Sequence, residues 1–181
     1  MSRIEVIFVN IVLIKTEPKY KQQIIDFLDE CRLSGEKVIP TAIAKADHHD
    51  FENYCKFVYD RLHPQSPERV PASIYFTLDL DRNIVVGAVD IRHYLNDALL
   101  KTGGHIGDGV RPTERRKGYA TAQIKLALDK CKELGIKRVL MTCDKDNIGS
   151  AKSIINNGGV LENEIDNDGK LLQRYWITID D

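Results

Sequence analysis

The sequence predicts a mixed α/β fold, and three features carry that prediction. Val- and Ile-rich runs of strand length alternate with amphipathic stretches of helix length. Two pairs of strand-like runs flank short polar turns, Asp81-Arg82-Asn83 and Asn167-Asp168-Gly169, as antiparallel hairpins do. Residues 138–143 form a mostly apolar run, the pattern of a buried parallel strand. The 181 residues contain no repeat, low-complexity tract or linker and suffice for one domain with a substantial core.

Each element has its own signal. Residues 4–15 read as a first strand. The run is short and broken by Glu5 and Asn10, and no small-residue cleavage site follows, so a strand explains it better than a signal peptide or membrane span. Pro18 opens a helix whose stripe of Ile24, Ile25, Phe27, Leu28 and Cys31 runs to about residue 32, and Ser34-Gly35 ends it. Residues 36–47 have no clear pattern. A second helix is expected over 51–62, with Phe51, Tyr54, Cys55, Val58 and Leu62 inward, and Pro64, Pro67 and Pro71 mark the loop after it. Strands at 72–80 and 84–91 make the first hairpin. Residues 92–102 are a helical or irregular excursion, and 103–110 a strand distorted by four glycines. A helix follows over 118–134, stopped by Gly135. After the strand at 138–143, Asp146-Asn147 precede another helix, which ends at Asn157-Gly158-Gly159. Strands at 160–165 and 171–179 form the final hairpin. The order is β-α-α-β-β-β-α-β-α-β-β.

Composition excludes several classes. The net charge of −1 attracts neither nucleic acid nor an acidic membrane. The four cysteines show no C-x-x-C and no zinc spacing with histidine, so reduced thiols in a cytoplasmic protein without a metal are expected. His48-His49, flanked by Asp47 and Asp50, reads as a charged helix-start cluster rather than a metal site.

The most informative segment is Val110-Arg111-Pro112-Thr113-Glu114-Arg115-Arg116-Lys117-Gly118-Tyr119-Ala120-Thr121. A strand runs into a basic glycine loop and then into a helix. The first amides of a helix have no partner within it and carry partial positive charge, so the arrangement suits a phosphate. Gly118 and Ala120 leave room for a pyrophosphate beside the backbone, and Arg115, Arg116 and Lys117 add formal charge. No Walker A loop is present, and Gly104, Gly107 and Gly109 have the wrong spacing for a dinucleotide fingerprint.

Arg115-x-x-Gly118-x-Ala120, with the preceding strand, Pro112 and the following helix, resembles the acetyl-CoA pyrophosphate loop of the GNAT N-acetyltransferase superfamily. From residue 72 onward the wording resembles an uncharacterised acetyltransferase subgroup, through residues 104–112, Asp146-Asn147-Ile148-Gly149-Ser150 and Asn157-Gly158-Gly159. The first 70 residues match in element order alone.

The resemblance implies a central, mostly antiparallel sheet flanked by helices and splayed between its fourth and fifth strands, with acetyl-CoA as co-substrate in the cleft. Asp108, Gly109 and Val110 would pair with the pantetheine arm like an added strand, one N–H exposed by a bulge polarising the thioester carbonyl. Amides of Arg116, Lys117, Gly118, Tyr119, Ala120 and Thr121 would hold the pyrophosphate, with Asn147 a further cofactor ligand or a helix cap. The implied activity is acetyl transfer to an amine of a small molecule or peptide, by direct attack in a ternary complex. The alternative is a sensor that binds acyl-CoA without turnover.

Two family features are absent. Ile154 stands where many members have the tyrosine that protonates the thiolate, and Thr142 where some have a basic glutamate. Ser153, Tyr119 and Tyr175 are substitute donors. His105 and Asp108 are the candidate catalytic bases, acting together only if a bulge turns them to one face; Asp90 and His93 are further candidates. The acceptor pocket would come from the helices before residue 71 and from 92–102. The final hairpin offers an edge to a second copy, a route to a homodimer.

Overall fold

A computed structural model describes residues 9–179. The first strand, β1, spans Ile11–Ile14; residues 4–8 of its predicted extent lie outside the described residues. A 3₁₀ turn at Pro18–Tyr20 leads into α1 (Lys21–Leu33), so Pro18 opens the turn rather than the α-helix itself. The patternless stretch holds a 3₁₀ turn at Thr41–Ala44. Helix α2 (Phe51–Asp60) is capped by Asp50, whose carboxylate accepts the Asn53 N–H.

Strands β2 (Ala72–Asp79), β3 (Ile84–Arg92) and β4 (Ile106–Val110) complete a four-stranded antiparallel sheet in the order β1-β2-β3-β4. The predicted excursion contains a π-helical turn, Leu99–Gly103. After α3 (Tyr119–Glu133) come β5 (Arg138–Asp144), α4 (Ile148–Ile155), β6 (Val160–Asn167) and β7 (Lys170–Thr178). These last strands form a second sheet, β5-β7-β6. The apolar run at 138–143 predicted a parallel partner for β5, yet its ladder is with antiparallel β7. It is apolar because helices pack on it, not because parallel strands flank it on both sides.

Between β4 and β5 the sheet is split. The two strands meet at one point: His105 N–H donates to Leu140 O (2.7 Å), and Leu140 N–H donates to His105 Nδ1 (2.9 Å). Gly104 permits that approach. Its φ is +67°, and a Cβ there would lie 2.6 Å from Leu140 O. Past this point no ladder joins the strands.

Two cores hold the halves in place. Ile24, Phe27 and Leu28 of α1 pack with Tyr54 of α2 and Phe76 of β2 on one face. On the other, Ile124, Ala127 and Cys131 of α3 contact Ile91 of β3, Ile106 of β4, and Val139 and Met141 of β5. Helix α3 therefore bridges both sheets, and burying its apolar stripe keeps the split from closing or falling apart.

Candidate active site

The split opens into a cleft of about 940 Å³, at the upper end of the range for small-molecule sites. Asp108, Gly109 and Val110 line one wall, the starts of α3 and α4 another, and the segment around residues 31–39 a third.

The edge of β4 follows from the ladder. Arg92 N–H donates to His105 O and Arg111 N–H to Val86 O. Antiparallel pairing alternates, so Gly107 and Gly109 exchange bonds with β3. The N–H and C=O groups of Asp108 and Val110 then point to the open side. The register Gly87↔Val110 to Ile91↔Ile106 is unbroken, so the bulge expected in β4 is absent; among the described residues a register shift in this sheet lies between Thr77 and Leu78. The amides reach the cleft because β5 has moved away, not because β4 is deformed.

The loop between β4 and α3 is tightly curled. Arg116 (φ +64°) and Gly118 (φ +85°) both adopt the left-handed region, which curls successive amides into a concavity suited to an anion. Among the described residues, no acceptor is recorded for the N–H groups of residues 116–121, and Gly118, the N-cap of α3, supplies no side-chain cap.

The basic side chains divide. Arg115 makes a two-pronged bond to Glu36 (3.0 and 2.6 Å), and Lys117 binds Glu114 (3.0 Å). Among the described residues Arg116 alone of the three has no such partner, while Arg115 lines the cleft beside it with its guanidinium on Glu36. Glu114 is the buried anchor. Arg82 donates to both its oxygens (3.2 and 2.7 Å) and holds its carboxyl below the usual range. Arg111 is drawn to Glu30 (2.6 Å). Glu30, Glu36, Glu114 and Arg82 gave no signal in the sequence, because most of these partners lie far apart in the chain.

Asn147 Oδ1 accepts the Ser150 N–H (3.1 Å) and caps α4, while the side chain also lines the cleft. No partner is recorded for its amide NH₂ among the described residues. Asn147→Ala should therefore lower stability by about 1 kcal/mol through loss of the cap, which thermal melts measure.

The candidate bases separate cleanly. His105 precedes β4 and does not line the cleft. Its Nδ1 accepts the Leu140 amide, and burial with the nearby Arg92 charge pushes its pKa down to about 4. It ties the two sheets, and the bulge that would turn it to the same face as Asp108 is absent. Asp90 is buried between Arg61 and Arg92, and His93 bonds Ser73.

Asp108 lines the cleft, and burial pushes its pKa up to about 6 against a hydrogen bond that favours the ionised form. That bond comes from Gln123 on α3. Gln123 Nε2 donates to Asp108 Oδ2 and to Gly109 O (both 3.2 Å), while its Oε1 accepts from Thr77 Oγ1 (2.9 Å). The fully buried glutamine thus fixes both the carboxylate and the strand that carries it.

The substitute acids are committed elsewhere. Tyr119 OH donates to Asp79 and accepts from Arg82. Tyr175 OH donates to Gln173 (2.8 Å). Ile154 is fully buried in the core, and Thr142 Oγ1 donates to Thr102 O (2.8 Å). Ser153 lines the cleft with its hydroxyl on Gly149 O (3.0 Å). Cys31 also faces the cleft, but burial raises its thiol to about 11, so it is no thiolate nucleophile. Among the described residues no helix is long and apolar enough to cross a membrane.

Known structures share this architecture. The microcin C7 self-immunity acetyltransferase MccE, in complex with acetyl-CoA and AMP, matches with a TM-score of 0.66 at 18% identity, over 96% of this chain and 94% of that one. Ribosomal-protein-S5-alanine acetyltransferase from Vibrio fischeri also gives 0.66 at 18% identity, over 94% and 93%. The spermidine/spermine N-acetyltransferase SpeG from Vibrio cholerae gives 0.62 at 14%, over 93% of each chain. At these identities the likeness is one of fold. No curated protein matches the chain. The family described as Acetyltransferase (GNAT) family matches residues 39–153, which include β4, the phosphate loop, α3 and most of α4. A chain with that match, this split sheet and these open loop amides belongs to the GNAT acetyltransferase family.

Proposed function

We propose that the protein transfers the acetyl group of acetyl-CoA to an amine of a small molecule or peptide, by direct attack in a ternary complex, with Asp108 as the group that takes up the ammonium proton. The observation that carries this reading is the Asp108 carboxylate on the β4 wall of the cleft, with a pKa raised to about 6 and fixed by Gln123.

The residues present fit the co-substrate. The amides of residues 116–121 and the free Arg116 guanidinium would hold the pyrophosphate. The open edge of β4 at Asp108 and Val110 would pair with the pantetheine amides. Acetyl-CoA supplies the acyl group and a thiolate able to leave.

Asp108 accepts a proton from the incoming ammonium, directly or through one water, which frees the nitrogen lone pair. A main-chain N–H on the same edge stabilises the charge that develops on the carbonyl oxygen. Asp108 is mostly ionised above pH 6, so activity should rise through that pH and fall off below it. With Ile154 in the core and Tyr119 and Tyr175 engaged, solvent provides the proton to the departing thiolate.

The buried Ile154 also favours a second reading, a sensor that binds acyl-CoA without turnover. Release of CoA thiol in the presence of a panel of amines decides between them. Acetyl-CoA binding without thiol release from any amine would replace the enzyme with the sensor.

Gln123 is a positioning residue in this scheme. Gln123→Met should keep most of the packing but remove the bond that lowers the Asp108 pKa. The acid limb of the pH–rate profile should move upward and kcat should fall, with the KM for acetyl-CoA little changed. A reduced rate with an unmoved limb would make Gln123 purely structural.

A further inference from the structure

We propose that Asp29, His48 and His49 form a binding site for a divalent transition metal of the zinc type, which clamps α1 to the loop that walls the cleft. The site does not depend on the acetyl-transfer reading.

The sequence alone shows His48-His49 between two aspartates, and the structure rearranges that grouping. Asp50 caps α2, and Asp47 accepts the His49 N–H (3.0 Å). The carboxylate that joins the histidines is Asp29, 19 residues away from His48 on α1. Both rings bring Nε2 close to the same oxygen. His48 Nε2 lies 2.7 Å and His49 Nε2 3.0 Å from Asp29 Oδ1. The three ligand atoms lie within 4.8 Å of one another, and the ring centroids are 4.4 Å apart.

Two imidazoles and one carboxylate are a donor set that zinc-type ions take, with bonds of about 2.0–2.2 Å. A tetrahedral ion with such bonds separates its ligand atoms by about 3.3 Å. The two contacts to Asp29 Oδ1 need to open by only a few tenths of an ångström, and the two ring nitrogens lie within 4.8 Å of each other. The anchoring is unequal in a useful way. His48 is fully buried and packs edge-on against Tyr54 at 6.4 Å between ring centroids. It is therefore a preset ligand. The His49 side chain is 59% exposed and that of Asp29 37%, so the ion can enter from solvent, and water can complete its coordination.

The position gives the site a role. Residues 34–50 leave α1, pass the cleft and return to α2. Glu36 in this segment holds Arg115, and the Ile39 carbonyl packs against Gly109 of β4. At present a hydrogen bond from Arg32 to Ala46 O (3.3 Å) and the shared Asp29 oxygen tie the end of the loop to the helix. An ion at Asp29, His48 and His49 would replace the weaker tie with coordination bonds and stiffen the cleft wall.

The test is a zinc titration of the full chain against a chromophoric competitor, with thermal melting as a second readout. His48→Ala empties a buried position and can unfold the chain, so the informative variants are His49→Ala and Asp29→Asn, both at partly exposed positions. Each should first melt like the wild type in chelator. One zinc per chain is expected, with a rise in melting temperature. Each variant should bind at least about tenfold more weakly, since altering even the groups that support metal ligands costs that much, and the rise should shrink accordingly. Cobalt should bind with visible bands of a low-coordinate nitrogen/oxygen site, lost in both variants. Zinc uptake that is absent in the wild type, or undiminished in both variants, overturns the site.

Discussion

Asp108→Asn should lower acetyl transfer by about 10²–10⁴-fold, the usual worth of a positioned general base, while making the protein harder to unfold. Both effects come from one feature. The Asp108 carboxylate is half-buried in the cleft wall, and desolvation raises its pKa to about 6 in the folded chain against about 3.9 when exposed. The folded state therefore binds this proton more tightly than the unfolded state does. The protein is most stable with respect to this group below pH 4, and that contribution is lost as pH rises through 6. Asparagine carries no charge at any pH and can still accept from Gln123. The variant should thus gain stability on the order of 2 kcal/mol at pH 7–8 and show no gain at pH 4. Thermal melts across that range, beside thiol-release assays, check it. Full activity in the variant would remove Asp108 from the mechanism, and a loss of stability at pH 8 would show that its charge is compensated by something other than Gln123.

Gly118→Val should weaken acetyl-CoA binding by about 100-fold or more. Gly118 sits at φ +85° at the start of α3, where a β-branched residue is strained, and a Cβ there would meet no protein atom within 4 Å. The side chain would instead occupy the space beside the unpartnered loop amides. Backbone strain of about 1–3 kcal/mol and loss of charge-assisted hydrogen bonds at about 1.5–3 kcal/mol each make a hundredfold loss, about 2.8 kcal/mol, a low expectation. Gly118→Ala retains part of the strain with little of the bulk and should fall between. Calorimetry reads both. Unchanged affinity in the valine variant would move the pyrophosphate elsewhere.

The pieces that could be read in advance were local. The hairpin turns, the stop at Gly135 and the Asn147 cap each depend on a few consecutive residues whose backbone preferences are chemical properties of those residues. The phosphate loop was legible for the same reason, since its working groups are main-chain amides ordered by the chain itself. The basic side chains were not. Arg115, Arg116 and Lys117 look equivalent in a row, but Glu36 and Glu114 claim two of them. His105 and Asp108 were equally plausible bases three residues apart, and only the surroundings divide them. One meets the Leu140 backbone, the other the cleft and Gln123. The distortion anticipated over residues 103–110 takes another form: the glycines there serve close approach, Gly104 to Leu140 and Gly109 to Ile39, rather than a bulge.

By itself the sequence determined the order of elements, the helix start with open main-chain amides and the family to which these motifs point, because hydrophobic periodicity, turn chemistry and backbone amides act over a few residues. Tertiary structure alone decided which carboxylate is buried enough to hold a proton near pH 6, which arginine stays free and which aspartate meets the two histidines. Those outcomes depend on desolvation and on charges brought together from distant parts of the chain, and neither is a property of any single segment.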